Sequence, residues 1–206
     1  MKKLLILGIL FLLIFITGCS NGHNTDINKA DNSYKKVEKK SLPTKIFDNK
    51  TTNSQLSEQE IKDSIKLYLN SDDDLSKAKE YYQDKLDSEE KLSEVDSKEI
   101  KQLNKLTREN DNNFYNYIKN NRLSEGYNKY AFKISKYIST SNKVFENLDK
   151  QIDLTMNKLT ENGEIPTEDF DEIKYDSKIV NGKEQDKIEK FLKEKNIKTR
   201  AFKNTE

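Results

Sequence analysis

Apolar side chains recur at the spacing of an α-helix through most of residues 55–162. In residues 100–118 they fall within one wedge of about 120° when successive residues are rotated by about 100°. A second stripe begins at Tyr127 and keeps one face as far as Leu159, which predicts a helix of roughly 50 Å. Because a stripe of that length needs an equally long partner, we expect an elongated antiparallel helical hairpin or bundle.

The residues before residue 100 predict two further helices. Ser57 is followed three residues later by Glu60, which is the capping-box pattern and predicts that the first helix starts there. The polar run from Asn70 to Asp74 predicts that this helix ends and that a second is capped. The run lacks the alternating oxygen ligands and the glycine of a calcium loop. We therefore predict capping here, with no metal site and no cofactor.

The pattern changes after the predicted long helix. Asn162 and Gly163 predict its end, and residues 163–206 are expected to form a small C-terminal appendage. Residues 184–196 carry apolar side chains at helical spacing, whereas residues 197–202 alternate polar and apolar positions as in a short strand. The predicted fold class is thus mainly α, and the appendage is either α or α+β.

The segment that precedes the first predicted helix predicts no packed core. In residues 20–54 apolar side chains are sparse and follow no sustained period. Such a segment buries too little surface to offset the entropy of ordering it. We therefore predict that residues 19–54 form a flexible polar tether.

The first nineteen residues predict export and lipid attachment. Residues 4–16 are apolar after Lys2 and Lys3, a length that suits a signal peptide and is too short to span a bilayer. The run ends in Ile16, Thr17, Gly18 and Cys19, which resemble the lipobox of bacterial lipoprotein precursors.

The lipobox resemblance implies that residues 1–18 are a cleaved signal peptide. It also implies that Cys19 carries a diacylglyceryl group and becomes the first residue of the mature chain. Two acyl chains hold a protein stably at a bilayer, so the expected location is the extracytoplasmic face of the cell membrane. The alternative is an uncleaved helix in which Cys19 has no role.

Composition excludes several classes of function. The formal net charge is +1, with 37 basic and 36 acidic side chains, so we predict no nucleic-acid partner. Cys19 is the only cysteine, which excludes an intrachain disulfide, and His23 is the only histidine. The chain has no Glu-x-x-His motif of the kind found in carboxylate sites of helical bundles. We therefore predict that the protein is not an enzyme.

A polar pair interrupts the apolar face of residues 100–118. Asn110 and Asp111 lie within or beside that face, where polar groups are costly unless hydrogen-bonded. Together with Phe114 they match the pattern Asn-Asp-x-x-Phe, and the chain resembles the NDxxF-motif lipoproteins, which are small Gram-positive, notably staphylococcal, lipoproteins of unassigned function. The resemblance marks these three residues as a signature and attaches no activity to them.

Two interpretations of the signature stay open. In the structural one, Asn110 fixes helix register, Asp111 bonds a tyrosine hydroxyl or a lysine on a neighbouring helix, and Phe114 lies in the core. In the other, the polar pair contacts a ligand. Five tyrosines nearby present a similar choice between core packing and a platform that stacks on sugars. They are Tyr115, Tyr117, Tyr127, Tyr130 and Tyr137.

These features together predict a membrane-anchored extracytoplasmic binding or interaction module. Its expected partner is the membrane through the anchor, with a cell-wall polymer or a membrane protein as ligand. The alternatives are a carboxylate-dependent hydrolase and a solute-receptor lipoprotein. A two-lobed α/β receptor needs repeated strand–helix units that this sequence lacks.

Overall fold

The computed structural model describes residues 37–88, 93–143 and 176–202. These ranges contain no strand, and an isolated bridge pairs Gln55 with Arg122. The predicted mainly α fold, with helices packed against one another, is confirmed. The helices are α1 (Glu58–Asp87), α2 (Glu94–Lys119), α3 (described over residues 128–143) and α4 (Gly182–Glu194).

Capping boxes start the first two helices. At the start of α1 the Ser57 N–H donates to Glu60 Oε2 at 2.8 Å and the Glu60 N–H donates to Ser57 Oγ at 3.2 Å. This reciprocal pair satisfies two backbone donors that the helix leaves unpaired, and the predicted start is confirmed. Ser93 and Asp96 form the same arrangement at the start of α2.

The predicted break at Asn70–Asp74 is wrong, because α1 continues through it. A polar side chain ends a helix when it bonds the helix's own backbone, and here these side chains bond other segments. Asn70 Oδ1 accepts from the Arg200 N–H at 2.9 Å, and Asp72 Oδ1 accepts from Asn142 Nδ2 at 2.9 Å. The run is therefore a docking surface on a continuous helix.

Neighbouring helices run antiparallel, as predicted. The end of α1 meets the beginning of α2, where the Tyr82 hydroxyl donates to Glu99 Oε2 at 2.6 Å. At the opposite end, the Leu56 N–H donates to the Arg122 carbonyl at 2.8 Å. Helix α3 returns along α2. Its predicted continuation, residues 144–159, lies outside the described residues.

The C-terminal residues that the structure describes, 176–202, share the main core with the earlier helices. Ile188, Phe191 and Leu192 of α4 belong to the same buried cluster as Tyr127 and Ile134. Burial of such side chains against another element stabilises both partners. Residues 176–202 are thus part of the bundle.

Residues 197–202 contain no strand, so of the two alternatives left open for the C-terminal region, α and α+β, the described residues 176–202 show the α form. Ile197 and Phe202 point into the main core. Between them, Thr199 Oγ1 donates to Asn70 Oδ1 at 2.9 Å and Arg200 pairs with Asp74 at 2.7 Å. The alternating pattern therefore comes from an irregular segment that docks on α1.

The predicted flexible tether is wrong for residues 37–54. Phe47 is fully buried in the main core, and Leu42 and Ile46 pack against a second cluster around Leu75 and Leu103. The segment forms no helix, so its few apolar side chains follow no helical period. Residues 19–36 lie outside the described residues, and the prediction stands untested for them.

None of the helices in residues 37–88, 93–143 and 176–202 combines the length and the apolar character that a bilayer span requires.

Candidate ligand-binding cleft

On one face of α2, Asn110, Asn113 and Phe114 hold the segment of residues 37–54 through Phe47. We call these three residues the clamp. Asn110 is fully buried, and its Oδ1 accepts from the Phe47 N–H at 2.9 Å. One turn further along, Asn113 Nδ2 donates to the Phe47 carbonyl at 2.9 Å. Two amides therefore satisfy both backbone groups of one residue, as a neighbouring β-strand would. This pairing holds Phe47 in the core.

Phe114 completes the clamp and is fully buried. Its ring stacks on Tyr68 with centroids 4.1 Å apart and planes 7° apart, and it meets Phe47 edge-to-face at 5.3 Å. Aromatic pairs in such arrangements add to the free energy of burial. The structural interpretation of Phe114 as a core residue is confirmed.

Asp111 points away from the clamp, toward α1 and α3. The Tyr68 hydroxyl donates to its Oδ1 at 2.7 Å, which confirms the predicted tyrosine partner. Asn142 Nδ2 lies 3.2 Å from Asp111 Oδ2 and 2.9 Å from Asp72 Oδ1. One amide from α3 thus bridges two carboxylates from α1 and α2.

Burial dominates the electrostatics of this network. The pKa of Asp72 is raised to about 7, chiefly by burial and also by the neighbouring Asp111, while Asn142 and Lys79 act in the opposite direction. Burial also raises the pKa of Asp111 against the hydrogen bonds from Tyr68 and Asn142. Desolvation disfavours the charged form of a carboxyl group. The network therefore holds on to protons more strongly than exposed aspartates do.

A cleft of about 390 Å³ opens beside this network, between α2 and α3. Its lining combines amides, hydroxyls, two aromatic rings, three cations and one carboxylate. From α2 come Asn104, Thr107, Arg108, Asp111, Asn112 and Tyr115, and from α3 come Phe132, Ser135, Lys136, Ser139, Asn142 and Lys143. Asp111 is therefore the signature residue that reaches the cleft.

The aromatic wall of the cleft is formed by Tyr115 and Phe132, whose ring centroids are 6.0 Å apart. Tyr115 is 43% exposed. Three of the other predicted platform residues are buried in the main core, namely Tyr117, Tyr127 and Tyr137. Tyr130 stacks on Phe191 at 4.3 Å. A five-ring platform does not form, and of those tyrosines Tyr115 alone lines this cleft.

Sequence reasoning missed the wall that α3 supplies. Ser135, Ser139 and Asn142 recur at intervals of four and three residues, which places them on one face of a helix. That polar stripe was a readable signal beside the apolar stripe of Ile134 and Ile138. Phe132 gave no such signal, because an aromatic residue in a helix is more often part of the core.

The chemistry available in the cleft is recognition by charge, hydrogen bonding and ring contact. In the described part of the chain no buried side-chain nitrogen or oxygen lacks a hydrogen-bond partner. The same part contains no cluster of three or more His, Cys, Asp or Glu side chains that could hold a metal ion. Ile16, Thr17, Gly18, Cys19 and His23 lie outside the described residues.

Comparisons with protein-family models, curated proteins and solved structures find no match for this chain.

Proposed function

We propose that this protein is a lipid-anchored extracytoplasmic lipoprotein that binds its ligand in the cleft between α2 and α3. The observation that carries the proposal is the cleft itself. It joins an exposed aromatic wall to hydroxyls, amides and cations in a cavity of about 390 Å³. Sites for small ligands generally combine apolar walls with a few placed polar groups.

The location rests on the sequence from Ile16 to Cys19 and on its resemblance to the lipobox. We also propose that the chain is one of the NDxxF-motif lipoproteins, because Asn110, Asp111 and Phe114 match their sequence pattern. The described residues of the domain begin at Val37, whose N–H lies 3.4 Å from Asp84 Oδ2. A chain from Cys19 to Val37 can span at most about 60 Å. An anchor at Cys19 would therefore keep the cleft near the membrane surface.

Binding is favoured over catalysis because the carboxylate in the cleft is already engaged. Asp111 accepts hydrogen bonds from Tyr68 and Asn142, and Asp72 is buried behind Asn142 and does not line the cleft. A general base must reach the proton that it abstracts. We propose no cofactor and no metal, and we expect a cell-wall polymer or a membrane protein as partner.

A carboxylate-dependent hydrolase is the second candidate, and one observation favours it. Asp72 and Asp111 flank the same amide, and burial raises the pKa of both. Such pairs occur at acid–base sites. Release of soluble fragments from isolated cell envelopes by wild type, and its loss in Asp111→Asn, would support this candidate. A solute receptor is disfavoured, because the described residues contain no strand.

Retention of the full-length protein on isolated cell envelopes tests the binding proposal. Detergent-solubilised wild type should be retained at low salt, and the Tyr115→Ala/Lys136→Gln variant should be released at lower salt than wild type. Lys129→Gln is the matched control, since Lys129 is an exposed cation on α3 that does not line the cleft. Equal retention of all three proteins, or retention of none, would contradict the proposal.

The anchor has its own test. Labelled palmitate should enter wild type in cells and should not enter Cys19→Ala. Incorporation into both would contradict lipidation at Cys19.

A further inference from the structure

We infer that the cleft between α2 and α3 accepts an anionic saccharide, with a sugar ring against Tyr115 and Phe132 and a phosphate or carboxylate beside Lys136 and Lys143. This inference rests on the proposed binding function and names its ligand class. Charge, ring contact and hydrogen-bonding capacity each lead to the same class.

Charge is the first step. Arg108, Lys136 and Lys143 line the cleft, and Asp111 is the one acidic side chain among its lining residues. The Asp111 carboxylate accepts from Tyr68 and Asn142, so its oxygens are turned into the buried network. The lining therefore carries an excess of positive charge on a protein whose overall net charge is +1. A concave surface of one sign concentrates ligands of the opposite sign.

Ring contact is the second step. Tyr115 leaves 43% of its surface exposed, although the chain buries most of its other tyrosines in the described part. Phe132 meets it edge-on at 6.0 Å, and the two rings form a wall at one side of the cleft. An aromatic ring offers an apolar face beside a polar tip. The C–H face of a sugar ring fits such a wall and leaves the sugar hydroxyls pointing to the polar side.

Hydrogen-bonding capacity is the third step. The rest of the lining is rich in amides and hydroxyls, including Asn112, Ser135 and Ser139. Amides and hydroxyls both donate and accept, as sugar hydroxyls do. An acyl chain would leave these groups and three cations without hydration. The volume of about 390 Å³ lies near the lower end of the range for small-ligand sites, which suits one or two sugar rings.

Calorimetric titration of the full-length protein in non-ionic detergent tests the inference. The probes are glucose 1-phosphate, N-acetylglucosamine 1-phosphate and glucuronate, with glucose and inorganic phosphate as the two halves of the ligand. We expect at least one anionic sugar to bind more tightly than either half, by about tenfold or more. Tyr115→Ala and Lys136→Gln should each weaken that binding several-fold, whereas Lys129→Gln should leave it unchanged.

Three outcomes would overturn the inference. They are binding of inorganic phosphate as tight as that of the best sugar phosphate, affinity unchanged by both cleft substitutions, and no binding of any anionic sugar at millimolar concentration. The first outcome would leave an adventitious anion site only. If retention on cell envelopes still depended on Tyr115 and Lys136, the ligand class would fail while the proposed function stood. If neither sugar binding nor retention on cell envelopes depended on Tyr115 and Lys136, both the ligand class and the proposed function would be contradicted.

Discussion

The two faces of α2 at residues 110–115 carry similar residue types, but one face packs in the core and the other lines the cleft. On one face the side-chain amides of Asn110 and Asn113 hydrogen-bond to the backbone of Phe47, and Phe114 is buried between the rings of Tyr68 and Phe47. On the other face Asp111 borders a cleft, and Tyr115 stays 43% exposed. A polar residue on an apolar stripe can thus hold the fold or border a cleft. The partner that tertiary structure supplies decides which.

The largest expected effect lies on the packed face. Phe114→Ala should lower the free energy of unfolding by about 3–5 kcal/mol, because the ring is fully buried between Tyr68 and Phe47. Denaturant unfolding followed by circular dichroism measures this change. A loss below about 1 kcal/mol would mean that this face does not hold the fold.

The next largest loss of stability is expected for Asn110, whose side-chain amide belongs to the clamp. Asn110→Ala should cost about 1–3 kcal/mol, because it leaves the buried Phe47 N–H without its acceptor. Asn112→Ala is the matched control. Asn112 is exposed on the same turn and its loss should change stability by less than about 0.5 kcal/mol. Equal costs for the two variants would contradict the clamp.

The buried network between the faces predicts a pH effect. The folded-state pKa of Asp72 is about 7, above its usual value of 3.8. The folded protein therefore keeps a proton that the unfolded chain releases, and its stability falls as pH rises from about 4 to about 7. Asp111 of α2, Lys79 and Asp73 of α1 and Asn142 of α3 face it. Asp72→Asn removes the titration, so its stability relative to wild type should rise by about 4 kcal/mol between pH 4 and pH 8, because each unit of pKa shift is worth about 1.4 kcal/mol.

Unfolding curves of wild type and Asp72→Asn at both pH values measure that difference. A stability difference between the two proteins that does not change with pH would show that Asp72 does not titrate in this window.

The smallest stability effect is expected on the cleft face. Tyr115→Ala should cost less than about 1 kcal/mol, because the ring is 43% exposed and makes only an edge contact with Phe132 and an exposed cation–π contact with Lys119 at 5.7 Å. Thermal unfolding measures this cost, and Leu67→Ala on α1, 44% exposed, gives the baseline for an exposed apolar residue. A cost like that of Phe114→Ala would erase the distinction between the faces.

Local signals in the sequence were sufficient where the residues that matter are close together in the chain. The capping box of Ser57 and Glu60 needs only four residues, and it was predicted correctly. The apolar stripe of residues 100–118 likewise defined most of α2 and the polar pair on it. That pair in turn predicted a hydrogen-bonded Asp111.

The sequence pattern did not predict contacts between residues that lie far apart in the chain. The run Asn70–Asp74 looked like a helix end, because the partners that occupy its side chains, Arg200 and Asn142, lie 130 and 70 residues away from the residues they bond. The pattern of residues 37–54 indicated a tether, because a non-helical segment held by the amides of Asn110 and Asn113 needs no apolar period. The cleft depended on the same kind of information. Its two walls come from helices whose pairing the pattern predicted without giving their register.

Photocrosslinking in cells tests the central claim that the cleft face of α2 is where this protein meets its ligand. A photoreactive phenylalanine analogue replaces Tyr115 in one variant and Leu67 in another. These two positions are 43% and 44% exposed, so they differ in location and not in access to solvent. We predict adducts from position 115 that are lost when Lys136→Gln is added, and few or none from position 67. Equal adducts from both positions, or none from position 115, would contradict the claim.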